Sequence, residues 1–376
     1  MLFFGYVKVK YKFWSQQPVF HYYDVYYWFN DIGVIHPELP LKNKYYNSNI
    51  LTKRVEDVST QTVEEIIRLI QSNYILNKEN KANKFLPKTN TFMPYFSGHN
   101  SPCFFTTLSS VVLYQSSSEK VVDVDVIIGV ITSRPLHIEI IKENILFDAY
   151  YVDYMCVDKN HRQQGIAQQL IQTHEYNQRH HTPTIKVSIF KREDELTNII
   201  PICAYDTYGF NAINWAVVGI TPHLLKCDKQ NLYHLLDFIL SNKKMFELTM
   251  MPELSNLLEL IVTGNLLIYM MMDISNAIIQ SAYFFRKSCT YVSEKSEVLS
   301  CFASISNTSA KEFIKGFKTV ICSLPYEFVS IERISHNGII IDDLIKKTEA
   351  QISKTAYFFY NFVYHTFDAN KVLILQ

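Results

Sequence analysis

Residues 56–73 (EDVSTQTVEEIIRLIQSN) set Val63, Ile66, Ile67 and Ile70 on one helical face, with Ser59 or Thr60 placed to cap the first turn. Residues 121–134 (VVDVDVIIGVITSR) alternate and then become continuously apolar, the pattern of a strand entering a core. Residues 137–141 either continue that strand or pair with it, and Asp123 and Asp125, alternating with valines, read as solvent-facing. Residues 232–240 have helical spacing. Residues 185–190, 266–273, 282–285, 320–324, 356–361 and 371–376 read as strands. The most apolar window, 257–272, is interrupted by Glu259, Thr263, Gly264 and Asn265; it predicts a helix end, a turn and a buried strand rather than a membrane span. Residues 77–88 are polar and read as a loop. Residues 1–50 are aromatic and turn-rich, with Pro18, Pro37 and Pro40, and the opening MLFFGYVKVKYKFW alternates like a strand rather than a signal peptide. No short-period repeat is visible. A boundary near residues 215–221 divides the chain into halves 1–215 and 216–376, expected to share one sheet, in an α/β (α+β) fold.

Candidate chemistry concentrates in residues 151–179 (YVDYMCVDKNHRQQGIAQQLIQTHEYNQR). An apolar run ending in Met155, Cys156 and Val157 meets the polar turn Arg162-Gln163-Gln164-Gly165-Ile166-Ala167, and an amphipathic helix follows. The opening turn of a helix has N–H groups with no internal partner, and the helix dipole adds positive charge there. Gly165 lets an anion approach the backbone, Ala167 keeps the next turn clear, and Arg162 adds a fixed charge. The same six residues also suit an ordinary strand–helix turn. The flanking strand and helix favour a cradle for the pyrophosphate of coenzyme A.

Composition narrows the alternatives. The chain has 376 residues, 48% hydrophobic and 19% charged, enough for a substantial core. Its 36 Lys+Arg balance 36 Asp+Glu, so it lacks the basic face that nucleic-acid binding needs. The seven cysteines form no CxxC pair, which argues against a disulfide framework or a zinc site and fits a reducing compartment, the cytoplasm. His174, His180 and His181 sit on a helix face and its exit without clustered carboxylates or cysteines, and read as a solvated helix end rather than a metal site.

The strand–turn–helix unit resembles the acyl-CoA signature of the GNAT superfamily, and further pieces resemble one branch of it, the N-myristoyltransferases. Tyr11-Lys12-Phe13-Trp14-Ser15-Gln16-Gln17-Pro18-Val19 resembles that family's Phe-Trp-x-x-Gln-Pro-Val entry. Met155-Cys156-Val157 with Lys159, Arg162, Ile166 and Ala167 resembles its Leu-Cys-Val-x-Lys-x-x-Arg-x-x-x-Val-Ala run. Phe246-Glu247-Leu248-Thr249 resembles Phe-His-Leu-Thr, Tyr357-Phe358-Phe359-Tyr360-Asn361-Phe362 resembles Tyr-Tyr-Leu-Tyr-Asn-Trp, and Lys371-Val372-Leu373-Ile374-Leu375-Gln376 resembles the family terminus. The pieces occur in family order along nearly the whole chain.

The resemblance implies two GNAT-like halves around a saddle-shaped mixed β-sheet. The first half would bind acyl-CoA and the second would form a peptide groove. It implies transfer of myristate from myristoyl-CoA, a co-substrate rather than a prosthetic group, to the N-terminal glycine amine of a protein, by a monomer without an integral membrane segment. By position, Lys12, Phe13 and Trp14 would contact the CoA; Tyr154, Met155, Cys156 and Val157 would line the thioester; and Arg162, Gln163, Gln164, Gly165, Ile166 and Ala167 would surround the phosphates. Backbone N–H groups of Tyr154 and Met155 would meet the oxyanion, the α-carboxylate of Gln376 would act as base, and the Ser188 hydroxyl would hold the substrate amine. Three stretches depart from the family: residues 75–80 replace an acidic loop, residues 207–210 keep only the tyrosine of Arg-Tyr-Trp-His, and residues 351–353 replace Gly-Asp-Gly. The competing readings are a short-chain GNAT N-acetyltransferase, which leaves the second half without a purpose, and a catalytically decayed module that binds acyl-CoA or peptide.

Overall fold

The computed structural model describes residues 12–74, 83–115, 121–194, 196–217, 219, 221–273, 275, 278–292 and 295–376, with side chains omitted for residues 112–124. The first eleven residues, the stretch 75–80 and the side chain of Asp123 therefore lie outside the described residues. The first half contributes β1 (Gly33–Val34), β2 (Leu51–Arg54), α1 (Thr60–Asn73), β3 (Asn83–Phe85), α2 (Thr89–Phe92), β4 (Phe104–Gln115) and β5 (Val121–Ile140). Then come β6 (Ile145–Val157), α3 (Ile166–His181), β7 (Val187–Glu193) and β8 (Cys203–Asn211). The second half contributes β9 (His223–Lys226), α4 (Leu232–Asn242), β10 (Leu248–Met251), α5 (Leu254–Val262), β11 (Leu266–Asp273), β12 (Ile278–Val292) and β13 (Ser296–Ser306). It closes with α6 (Ala310–Ser323), β14 (Phe328–Glu332), α7 (Asn337–Leu344), β15 (Gln351–Tyr360), β16 (Phe362–Val363) and β17 (Val372–Ile374).

Among the described residues fifteen strands form one mixed sheet, whose main path runs β17-β10-β5-β6-β7-β15-β8-β14-β13-β12-β11-β9. The same unit occurs twice. In the first half β5 and β6 form an antiparallel pair, α3 crosses over, and β7 returns parallel to β6. In the second, β12 and β13 pair antiparallel, α6 crosses over, and β14 returns parallel to β13. Helical crossovers of this kind are what parallel neighbours require. The strand after each unit then joins the other unit: β8 pairs with β14, and β15 pairs with β7, while β8 and β15 lie side by side. The boundary expected near residue 215 thus follows a strand that belongs structurally with the second half.

Most periodicities became the elements they predict. Ser59 caps α1 by accepting from the Thr62 N–H, and Val63, Ile66, Ile67 and Ile70 are buried. Residues 257–272 are the end of α5, a turn at Gly264 and β11. Residues 137–140 continue β5, which carries β4 along its first part and β10 along its last. Residues 320–324 are not a strand. They end α6, where Phe313, Phe317, Val320 and Ile321 recur at helical spacing behind the Ser309 cap; the short window hid that longer period. Strand β17 alternates between two cores, Val372 and Ile374 packing with Tyr151, Val187 and Ile189, Leu373 and Leu375 with Leu235, Leu260 and Phe284. Among the described residues no helix is long and apolar enough to cross a membrane.

Candidate functional site

The parallel ladder between β6 and β7 runs from Ala149 opposite Val187 to Val152 opposite Phe190 and then stops, although both strands continue. Beyond it β6 stays with β5 and β7 stays with β15, so the two strands part into a wedge. At the same level β6 carries a bulge: Ile131 faces Met155 and Ser133 faces Val152, leaving Thr132 opposite both Asp153 and Tyr154. A bulge of this kind interrupts the ladder and re-aims backbone groups. The Tyr154 N–H points to the Thr132 hydroxyl at 3.2 Å, so this expected oxyanion donor has an internal partner that must yield to a substrate oxygen. Met155 is 42% exposed. Cys156 is buried, its thiol pushed up to about 12 by burial, and Sγ faces the Leu69 carbonyl. It therefore stays protonated and serves as core.

The turn after β6 holds two left-handed residues, Gln163 at φ 64° and Gly165 at φ 78°. Gly165 starts α3 with no side-chain cap, so the first-turn N–H groups keep the open arrangement that an anion needs. Helix α3 sits close on the sheet: a Cβ on Gly129 would stand 2.9 Å from Leu170 Cδ1 and 3.3 Å from Ile166 Cγ2. Ile166 is therefore a packing residue as well as the first residue of the cradle. Gln163 and Gln164 are exposed, and Ala167 is half-buried. Arg162 has a structural duty that the sequence did not disclose, donating from Nε to the Val157 carbonyl at 3.2 Å and from Nη2 to the Asn73 carbonyl. With Asn73 Oδ1 accepting from the Lys159 N–H, this fixes the exit of β6 against the end of α1.

Phe13 is buried edge-on to Tyr45, and Trp14 stacks on Phe190, which stacks on Phe358; Lys12 is exposed. Phe190 and Ser188 share one face of β7, the face under α3. There the Ser188 hydroxyl lies between Gln178 Nε2 at 3.3 Å and Glu175 Oε2 at 3.4 Å. His174 is in the same buried layer, not at a solvated helix end: Nδ1 meets Thr106 Oγ1 at 2.7 Å and Nε2 meets Ser133 Oγ at 3.0 Å. The Ser133–His174 contact imitates a nucleophile and its base, but both side chains are buried and burial lowers the imidazole to about 4. Its role is to satisfy polar groups beneath the helix. His180 and His181 are exposed as expected, and so is Asp125.

The opposite face of the sheet holds Gln376, which is 1% exposed. Its Nε2 donates to the Tyr357 hydroxyl, and its side chain lies beside Tyr151. Around it lie charges that no single stretch of the chain groups together. Glu332 accepts from Lys191 Nζ at 3.0 Å, from Arg286 Nη2 at 2.6 Å and from the Tyr205 hydroxyl. Arg134 Nε meets both oxygens of Asp153, at 3.0 and 3.1 Å. Burial pushes Asp153 up to about 6 even though Arg134 and Arg286 oppose the shift. Burial alone would raise Glu332, but Lys191 and Arg286 hold it below the usual carboxylate range. Tyr357 pairs with Lys191 across the β15–β7 ladder, three residues from Ser188, so Ser188 and Gln376 occupy opposite faces. The structure does not bring that pair together. It brings Gln376 to Tyr151 and Tyr357 instead. Among the described residues no group of three or more His, Cys, Asp or Glu side chains is placed to hold a metal ion.

A wedge between parallel strands, a bulge beside it and an uncapped glycine turn opening a helix lie together in this mixed α/β fold. More particularly, the fold is that of the N-myristoyltransferases. Saccharomyces cerevisiae N-myristoyltransferase with bound myristoyl-CoA matches with a TM-score of 0.73 at 11% identity, covering 96% of this chain and 94% of that one. A second structure of the yeast enzyme with myristoyl-CoA gives 0.74 at 12% identity, over 96% and 90%. A third, with myristoyl-CoA and inhibitors, gives 0.73 at 12%, over 97% and 94%. No family model and no curated protein sequence matches this chain.

Proposed function

We propose that the protein transfers myristate from myristoyl-CoA to the N-terminal glycine amine of a peptide or protein. The observation that carries this reading is the buried position of Gln376 on the face of the sheet that also presents Tyr151 and Tyr357. The full-length likeness to N-myristoyltransferases supports it. Residues 1–215 hold the acyl-CoA and residues 216–376 form the peptide groove. The CoA phosphates lie at Gln163, Gly165, Ile166 and Ala167, the thioester lies along residues 154–157, and Lys12, Phe13 and Trp14 contact the CoA. The protein works as a cytoplasmic monomer.

In aminolysis the amine nitrogen forms a bond to the thioester carbon, the carbonyl oxygen takes the negative charge, and CoA leaves as its thiolate. Backbone donors aimed at such an oxygen are worth about 10²–10³ in rate. Tyr154 and Met155 N–H supply them once the carbonyl displaces the Thr132 hydroxyl. The base in this reading is the α-carboxylate of Gln376. Removing Leu375 and Gln376 is expected to lower transfer to a Gly-starting peptide by at least about a hundredfold while myristoyl-CoA binding, measured calorimetrically, persists. Near-normal turnover in the truncated protein rejects the base. Preference for acetyl-CoA over myristoyl-CoA rejects the acyl donor.

A further inference from the structure

His137 stands where three strands meet. On β5 it lies opposite Asp148 of β6 on one side and opposite Met251, the last residue of β10, on the other. Both nitrogens of its ring are engaged: Nδ1 is 2.7 Å from Asp148 Oδ1, and Nε2 is 3.1 Å from Glu253 Oε2. Ionised carboxylates only accept hydrogen bonds and a neutral imidazole has one N–H, so the two contacts together require the imidazolium. Glu253 is the cap residue of α5, yet its side chain makes no capping hydrogen bond to that helix. It is turned to His137 instead. Only Pro252 separates β10 from Glu253, so the ring holds α5 at its pivot.

The first turn of α5 in turn holds the segment before β4. Asn256 Nδ2 is shared by the carbonyls of Pro94 at 2.9 Å, Tyr95 at 3.3 Å and Ser97 at 2.6 Å, and His99 Nε2 donates to the Tyr95 carbonyl at 2.9 Å. Gly98 packs directly on the α5 backbone: a Cβ there would stand 2.9 Å from both Asn256 N and the Ser255 carbonyl carbon. Residues 93–99 and the start of α5 are therefore one unit. Its Tyr95 ring lies 5.3 Å from the Arg134 guanidinium, which lies 5.3 Å from the ring of Tyr151, the residue beside Gln376. Looseness at His137 thus reaches the wall of the candidate site.

We propose that His137 is a pH-sensitive latch that ties β6 and α5 together to β5 as an imidazolium and lets α5 go when it loses a proton. The neutral ring keeps the shorter contact, to its cross-strand partner Asp148, and releases Glu253; the first turn of α5 then loosens together with residues 93–99. Burial opposes the charged ring, but the hydrogen bonds to Glu253 and Asp148 outweigh it and hold the imidazole above its usual 6.5. The stabilisation is therefore complete below the unfolded value of about 6.5 and is lost as pH rises through the higher folded value. The other charged or titratable groups on the packed elements are His99, the Arg134–Asp153 pair and the Glu139–Lys243 pair two residues along β5. Burial lowers His99 to about 4, so it stays neutral through this range. Asp153, raised by burial to about 6, titrates alike in wild type and in variants at His137.

Hydrogen exchange read by mass spectrometry, corrected for the intrinsic rate at each pH, tests the latch in wild type, His137→Gln, Glu253→Gln and Asp148→Asn. At about pH 6, residues 93–99 and 254–258 should exchange about fivefold more slowly in wild type than in His137→Gln and Glu253→Gln, the upper range for a half-exposed ion pair. At about pH 9, above the imidazole range, the three should agree within about twofold. Asp148→Asn should keep the protection at both pH values, because its amide can donate to Nδ1 and the single ring N–H then goes to Glu253. A wild-type advantage over His137→Gln that is absent at the lower pH, or unchanged at the higher one, overturns the latch. So does protection in Asp148→Asn that disappears at the higher pH as it does in wild type. None of these readouts involves turnover, so the acyl-transfer reading stands or falls separately.

Discussion

Replacing Glu332 by Gln tests whether the charge cluster beside the chain end is held by its central carboxylate. Glu332 is nearly fully buried, and the amide has the same volume, so no cavity forms and the loss is electrostatic. Lys191 would retain only Glu193, and Arg286 would lose its ion pair. Breaking a buried pair from one side costs about 3–5 kcal/mol. Against a total of about 5–15 kcal/mol for ordinary proteins, that is a large fraction. The folded carboxyl is held below its usual range, so its stabilisation is complete above the unfolded value of about 4.3 and is lost as pH falls through the lower folded value. Equilibrium urea unfolding of both proteins should give the full difference at pH 7 and a shrinking one below about pH 4. Adding Lys191→Met to the variant should recover part of the loss, because the two sites share one interaction. A difference under 1 kcal/mol at pH 7, or one unchanged at pH 3, refutes the reasoning.

Gly165→Ala places a Cβ at a backbone that holds φ 78°, at a strain of about 1–2 kcal/mol, although the space around it is open. If the turn relaxes to relieve that strain, titration calorimetry should show CoA affinity reduced by about 5–30-fold; unchanged affinity would remove Gly165 from the cradle. Phe317→Ala, in a fully buried position packed against Tyr283 and Phe285, should cost about 3–5 kcal/mol in urea unfolding, and a loss below 1 kcal/mol would mean the α6 core can collapse around the gap.

Local pattern determined much of this protein. The 3.6-residue spacing in α1, the turn at Gly264 between α5 and β11, and the strand–turn–helix unit at residues 151–179 are all written in neighbouring residues, because helix faces, strand faces and turns are short-range properties. Where the period was longer than the window, as at residues 320–324, the short apolar run was ambiguous and only packing made it helical. The tertiary structure alone decided which faces meet. It laid β15 between β7 and β8, which put Tyr357 beside Lys191 and kept Ser188 on the far side of the sheet. It buried His174 under α3, joined Arg134 to Asp153 through a one-residue bulge, and gathered Lys191, Arg286 and Glu332 from three distant strands around Gln376. Those groupings depend on pairings between residues tens to hundreds of positions apart, and no periodicity within a single segment encodes them.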